Sequence, residues 1–155
     1  KWYREAVRQG YAPAQYKFGA LYASGRGVEK SPAQALRWYL RSAKQGYAPA
    51  QHEVAGLYGS GQGVKQDLAE AARWYRRAAQ QGHVPAQYSL GLMYYNGQGV
   101  RQDNVQAHLW FSLAAEGGEM EAVSQRDVVT KLMSPEDIAK AEQLASKWRA
   151  ARPAP

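Results

Sequence analysis

The chain has 155 residues, and its 20 Lys and Arg against 13 Asp and Glu give a formal net charge of +7 at pH 7. Hydrophobic residues make up 45% and charged residues 21%, which is typical of a folded domain or a short array of repeats and excludes disorder and collagen-like structure. The chain has no cysteine, so disulfides, thiolate metal sites and a cysteine nucleophile are excluded. No apolar run reaches the ~18 residues that a membrane span needs.

The sequence repeats itself every 36 residues. Residues 10–45 and 46–81 share 20 of 36 positions without a gap. Tryptophan recurs at this spacing, and so do a glycine and a proline, at Trp2, Trp38, Trp74 and Trp110, at Gly10, Gly46, Gly82 and Gly118, and at Pro13, Pro49 and Pro85. The abundant tyrosine, tryptophan and glycine residues therefore belong mostly to a repeated architecture.

The chain begins within a repeat. Lys1-Trp2-Tyr3 aligns with Arg37-Trp38-Tyr39, so residues 1–9 are predicted to be the second half of a truncated repeat. We expect the chain to be a fragment of a longer repeat protein.

Three full repeats are predicted to follow, at residues 10–45, 46–81 and 82–117, each made of two helices. The first helix of a repeat begins near a proline, which suits a first turn, and ends at a Gly-x-Gly segment. The second begins near Ser31-Pro32, Asp67 or Asp103, which are plausible N-caps, and ends at a glycine. Its predicted buried stripe is Ala35, Trp38, Tyr39, Ser42 and Ala43, repeated as Ala71, Trp74, Tyr75, Ala78 and Ala79.

One position of the first helix stays small, as Gly19, Ala55 and Gly91. A larger side chain there would push apart helices that pack closely, so this position predicts a close approach to the second helix.

The pattern changes after residue 117. Residues 118–133 begin like a fourth repeat and then depart from it, with Arg126 and Asp127 where the first repeat has Phe18 and Gly19. Ser134-Pro135-Glu136-Asp137 is an N-terminal capping sequence, which predicts a helix over 134–151 that covers the end of the array. Residues 152–155 are predicted to be a tail.

The repeated residues resemble the Sel-1-like repeat family, whose units are helical hairpins related to tetratricopeptide repeats. The resemblance covers roughly residues 1 to 118 and rests on the pattern Ala-Gln, Leu-Gly-x-x-Tyr, Gly-x-Gly-Val, Asp, Trp-Tyr, Ala-Ala and Gly. It implies an all-α, right-handed α-solenoid with a concave groove lined by first helices. It also implies a non-catalytic adaptor for proteins or peptides. Members of the family occur both inside cells and beyond the bacterial inner membrane, and for this chain we favour a location beyond the inner membrane.

The sequence contains no convergent set of catalytic or metal-binding residues. His52, His83 and His108 occupy three different positions of the repeat, and no His-x-x-x-His pair exists. The Gly-x-Gly segments follow helices, whereas a phosphate-binding loop follows a strand, so they are predicted to be turns. We therefore expect no enzyme activity, no cofactor and no metal.

First-helix positions that vary between repeats are the predicted partner-binding residues, and we expect a monomer that binds a protein or peptide. They are Tyr16, Lys17, His52, Glu53, Tyr88, Leu92, Tyr95 and Asn96. The third repeat is predicted to contribute most to partner binding, because Tyr88, Leu92 and Tyr95 would present aromatic and apolar groups on one face.

An alternative is a basic binding surface on the second helices. Arg37 and Arg41, and then Arg73 and Arg77, form i,i+4 pairs that are predicted to lie away from the tryptophan stripe on the convex side. Such a ladder could bind acidic partners or anionic surfaces. Nucleic acid is disfavoured, because the aromatic side chains are expected in the core, where bases cannot stack on them. An enzyme with a site between repeats is the least favoured alternative.

Overall fold

The computed structural model describes residues 2–152, except for the side chain of Trp2, and residues 153–155 of the predicted tail at 152–155 lie outside the described residues. Every regular element in the described range is an α-helix, which confirms the all-α prediction. The helices are α1 (Trp2–Arg8), α2 (Ala12–Ser24), α3 (Pro32–Lys44), α4 (Ala48–Ser60), α5 (Leu68–Gln80), α6 (Val84–Asn96), α7 (Asn104–Glu116), α8 (Met120–Thr130) and α9 (Pro135–Ala151).

The helices form two compact units, residues 1–83 and 84–155. In the first unit α2 packs on α3 and α4 on α5 as hairpins, α3 packs on α4, and α1 packs on α2. In the second unit α7 is the central helix, because α6, α8 and α9 all pack against it.

The helix ends form where the sequence predicts them. At the second helices, the Ser31 hydroxyl accepts a hydrogen bond from the Gln34 amide at 3.2 Å, and the Asp67 carboxylate accepts one from the Glu70 amide at 3.0 Å. These caps satisfy amides that have no partner within the helix. Two first helices end at glycines with positive φ, Gly25 at 74° and Gly61 at 71°, a conformation that side chains disfavour.

The predicted buried stripe is correct for most of its members. Ala35, Ser42 and Ala43 are buried, as are their equivalents in α5. Of the aromatic pair, Tyr39 is buried and Trp38 is half-buried in α3, whereas Trp74 is buried and Tyr75 is half-buried in α5.

The small position of the first helix does face an aromatic ring of the second helix. A Cβ atom on Gly19 would lie 2.9 Å from the Tyr39 ring, and one on Gly91 would lie 2.6 Å from the Phe111 ring. Both distances are below van der Waals contact, so glycine lets the paired helices approach closely and interlock.

A buried glutamine joins consecutive repeats. Gln51 of α4 donates from Nε2 to the Ala43 carbonyl oxygen at 3.1 Å, and its Oε1 accepts from Gln81 at 2.9 Å. Gln15 accepts from Gln45 in the same way, at 2.8 Å. The glutamine of the repeated Ala-Gln motif is therefore a structural residue that ties the first helix to the second helices on either side of it.

The last helix covers α7, as the sequence predicts. The Ser134 hydroxyl accepts from the Asp137 amide at 3.1 Å, which caps the start of α9. Ala141 and Ala145 are buried, and the ring centroid of Trp148 lies 6.5 Å from that of Trp110 on α7.

Candidate functional site

Three tyrosine rings meet in the first unit around Tyr16, one of the predicted binding residues. The Tyr16 ring centroid lies 5.6 Å from that of Tyr39 and 5.5 Å from that of Tyr47. Tyr16 and Tyr47 are half-buried, whereas Tyr39 is buried beneath them. Offset and edge-on contacts at these distances are favourable, so the rings hold one another in place and leave two hydroxyl-bearing edges accessible.

The next repeat places an equivalent group around His52. The His52 ring centroid lies 5.4 Å from Tyr75 and 5.4 Å from His83. The expectation that the histidines do not converge is therefore wrong for this pair. The second helix runs antiparallel to the first, so the turn that follows it returns to the start of the first helix and brings His83 to His52.

Glu53 is the charged residue of this region. Its carboxylate lies 3.8 Å from Nδ1 of His52, and its side chain is 43% exposed. Burial raises the pKa of Tyr16 and of Tyr39, and the Glu53 charge adds to both increases. Burial and the neighbouring His52 lower the pKa of His83, against an opposing effect of Glu53. The phenols are therefore neutral donors, and His83 favours its uncharged form.

We call this surface the Tyr–His cluster, defined as Tyr16, Tyr47, His52, Glu53, Tyr75 and His83. It brings together three of the predicted binding residues and three that the sequence reasoning did not select, Tyr47, Tyr75 and His83. A signal for two of those three was present, because residues 11, 47 and 83 are aromatic or imidazole at a single position of the repeat.

A hollow of about 830 Å³ adjoins the cluster in the first unit. Its lining includes Tyr11 and Tyr47 from two successive turns, with Glu5 at one side. Tyr11 is 59% exposed and is not among the residues predicted from the sequence to bind a partner. The hollow that it lines has the volume of a typical ligand or side-chain pocket. Lys17 is exposed and lines a smaller hollow of about 220 Å³.

The second unit places the other predicted residues on α6. The Tyr88 ring centroid lies 5.9 Å from that of Phe111, and Leu92 and Tyr95 pack against the same core cluster. All three are half-buried, so they present edges and not whole side chains, and only Asn96 is exposed. Burial raises the pKa of Tyr88, with further contributions from Glu121 and Glu119.

The arginine ladder differs from its prediction. All four arginines are exposed, but Arg41 lies 4.6 Å above the Trp38 ring and Arg77 lies 4.5 Å above the Trp74 ring. The prediction that the ladder lies away from the tryptophans is wrong for Arg41 and Arg77, because residues three apart on a helix are neighbours. Arg73 forms an ion pair with Glu70. Arg37 is exposed.

Two general features concern the whole described range. Residues 2–152 contain no group of three or more His, Cys, Asp or Glu side chains arranged to hold a metal ion. None of the helices described is both long and apolar enough to cross a membrane.

The sequence matches the Sel1 repeat model at residues 1–11, 12–47, 48–83 and 84–119. These repeats begin two residues later than the predicted ones and have the same length. None of the curated proteins matches the chain.

Solved structures agree with this match. A protective antigen of uropathogenic Escherichia coli, c5321, which displays an SLR fold, is 44% identical with a TM-score of 0.78 over 80% of this chain. A Sel1 repeat protein of Oxalobacter formigenes is 37% identical with a TM-score of 0.76 over 77% of this chain. The chain spans 27% and 49% of those two proteins, respectively.

A third structure, Helicobacter pylori cysteine rich protein B, is similar in fold alone, with 21% identity and a TM-score of 0.63 over 80% of this chain and 94% of that one. The predicted fold class, an α-solenoid of helical hairpin repeats, is thereby confirmed. Sel1 repeats form a non-catalytic scaffold family that mediates interactions between proteins. With four matched segments that cover residues 1–119, the chain belongs to the Sel1 repeat family.

Proposed function

We propose that this chain is a non-catalytic scaffold that binds a protein or peptide across its first-helix surface, with the Tyr–His cluster as the principal contact in residues 1–83. The observation that supports this most is the repetition of one arrangement. Tyr16 packs on Tyr39 and Tyr47, and 36 residues later His52 packs on Tyr75 and His83, so one type of polar ring edge recurs along successive repeats.

The chemistry of the cluster suits an extended peptide segment. Half-buried rings have already lost most of their rotational freedom, so contact with a partner costs little additional entropy. Their hydroxyl and imidazole edges donate or accept hydrogen bonds, and the Glu53 carboxylate accepts backbone or side-chain N–H groups. Tyrosine and arginine both contribute strongly to binding at interfaces. Arg41 and Arg77 already lie over tryptophan rings and Arg73 pairs with Glu70, which favours the cluster over the arginine ladder.

Two sets of variants distinguish the first-helix surface from the arginine ladder. Glu53→Gln and Asn96→Ala change the first-helix surface without removing a buried ring. Replacing the four arginines Arg37, Arg41, Arg73 and Arg77 by Gln changes the ladder. Each variant, with circular dichroism as the folding control, is used as bait in the native extract, and the recovered partner is quantified by mass spectrometry.

The proposal expects the partner to be lost with the first-helix variants and retained with the arginine variant, with little change between low and moderate salt. Loss confined to the arginine variant, with a steep decrease as salt rises, would instead favour the basic surface. Recovery of a converted small molecule and no protein would contradict the scaffold proposal altogether.

A further inference from the structure

The second unit contains a polar cavity of about 510 Å³ between α7, α8 and α9. Its volume lies within the usual range for small-molecule sites, about 300–1,000 Å³. Two of its three walls, α8 and α9, follow the last residue matched by the Sel1 repeat model, residue 119. The cavity is therefore formed by a part of the chain that the repeat pattern does not dictate.

Two buried polar side chains form the floor of this cavity. His108 is 6% exposed and Ser112 is 8% exposed, and the serine hydroxyl lies 3.4 Å from Nδ1 of the imidazole. The equivalents of His108 in the other second helices are Leu36 and Ala72. Burial of an imidazole where a leucine would fit costs stability unless its nitrogen atoms find partners.

The imidazole of His108 lines the cavity, and its one hydrogen-bond contact among the described residues joins Nδ1 to the Ser112 hydroxyl. Across residues 2–152, Nε2 of His108 accepts or donates no hydrogen bond. Burial lowers the pKa of His108, the nearby Arg126 charge lowers it further, and Glu142 opposes both. The neutral form of the ring is thus favoured, and it carries one N–H, on Nδ1 or on Nε2.

The walls carry one charge of each sign outside the Glu116–Arg149 ion pair. Arg126 projects from α8 and Glu142 from α9, and both line the cavity. Neither side chain forms an ion pair within the described part of the chain, whereas Glu116 and Arg149 at the same cavity are bound to each other. Ile138 and Ala145 supply apolar surface between them.

From this arrangement we infer that the α7–α8–α9 cavity is a binding site for a small zwitterion with an aliphatic side chain, the chemistry of a free α-amino acid. The ligand carboxylate pairs with Arg126 and accepts one hydrogen bond from the His108–Ser112 pair, which is the Nε2–H of His108 when the Ser112 hydroxyl donates to Nδ1. The ligand ammonium group pairs with Glu142, and its side chain lies against Ile138 and Ala145. A ligand with both charges matches the cavity better than a simple anion, because Glu142 would repel a second negative charge.

The same residues are poorly arranged for hydrolysis. His108 and Ser112 lie one turn apart on α7, where interior backbone amides are already bonded within the helix. No free pair of N–H groups is left beside Ser112 to stabilise an oxyanion, and such groups supply much of the catalysis in serine hydrolases. The cavity is therefore assigned as a binding site only.

Three matched probes test the inference directly. L-leucine carries both charges, 4-methylpentanoate lacks the ammonium group and 3-methylbutylamine lacks the carboxylate, on the same carbon skeleton. The imidazole C–H signals of the three histidines are followed by NMR during titration at neutral pH, with His108 assigned by its loss in His108→Gln. L-leucine should move the His108 signal to saturation, and each single-charge probe should bind at least about tenfold more weakly, as expected for loss of one charged hydrogen-bonded contact.

Variants then assign the two charges. In Arg126→Gln, L-leucine should bind at least about tenfold more weakly, and in Glu142→Gln it should lose its advantage over 4-methylpentanoate. Lys147→Gln is the matched control, because this exposed α9 residue does not line the cavity, and it should bind L-leucine like the original chain.

The inference is overturned if L-leucine leaves the His108 signal unmoved, if 4-methylpentanoate binds equally well, or if Arg126→Gln binds L-leucine unchanged. Because the comparison of probes uses the unaltered chain, it stands even if a variant fails to fold.

Discussion

Substitution of Gly91 by Ala gives the sharpest test of how the paired helices pack. In a helix interior this change normally gains about 1 kcal/mol, because alanine loses less backbone entropy on folding. At Gly91, however, the new Cβ would lie 2.6 Å from two atoms of the Phe111 ring, and Phe111 is 0% exposed. The ring has no room to retreat, so α6 and α7 must separate or the ring must leave its rotamer.

Overpacking of this kind costs about 1–3 kcal/mol. The propensity gain offsets about 1 kcal/mol of that cost, so Gly91→Ala should lower the free energy of unfolding by up to about 2 kcal/mol. Ala55 occupies the same repeat position in α4, where its aromatic counterpart Tyr75 is only half-buried. The difference between these two pairs explains why one repeat holds alanine and the other requires glycine.

Gly56→Ala is the matched control. A Cβ there meets only the Tyr75 hydroxyl, at 3.8 Å, which is ordinary contact. Gly56→Ala should therefore stabilise the chain by up to about 1 kcal/mol. Urea denaturation followed by circular dichroism measures both variants. Two variants of equal stability, or a more stable Gly91→Ala, would refute the proposed close approach of α6 and α7.

Three further predictions concern the core, the repeat interface and pH. Trp74→Ala should lower the free energy of unfolding by about 3–5 kcal/mol, because Trp74 is 6% exposed. Trp38→Ala should cost less, because Trp38 is half-buried, and an equal loss in urea denaturation would contradict the assigned burial. Gln51→Leu should cost about 1–3 kcal/mol, since it removes the hydrogen bond to Ala43 of the preceding repeat and the one from Gln81 of its own repeat, and an unchanged melting temperature would show that they contribute nothing. Folding lowers the pKa values of His83 and His108, so the folded chain is more stable above pH ~6.5 and loses stability as the pH falls below that value. The free energy of unfolding measured from pH 7 to 5 should show this decrease, and a chain that becomes more stable would contradict it.

Local rules made most of the fold predictable from the sequence. The Ser31 and Asp67 caps and the left-handed Gly25 and Gly61 depend on residues within one turn, so the pattern alone specifies them. The close approach at Gly91 was also predictable, because a position kept small opposite an aromatic stripe has few other physical explanations.

The candidate sites were less predictable, because they depend on how helices pack. His52 and His83 are 31 residues apart, and only the antiparallel return of α5 brings their rings together. The contact of Arg41 with Trp38 follows from their i,i+3 spacing, although the more conspicuous i,i+4 arginine pairs suggest a separate face. The cavity beside His108 takes residues from three helices, and no spacing along the chain indicates it.

Position-resolved crosslinking tests the proposed binding surface most directly. A benzophenone side chain is placed at Lys17 or Asn96, which are exposed on first helices, and at Arg37 or Arg73, which are exposed on second helices. After illumination in the native extract, the scaffold proposal predicts adducts of a protein partner from Lys17 or from Asn96 and none from Arg37 or Arg73. Adducts confined to the two arginine positions would contradict binding through the first-helix surface.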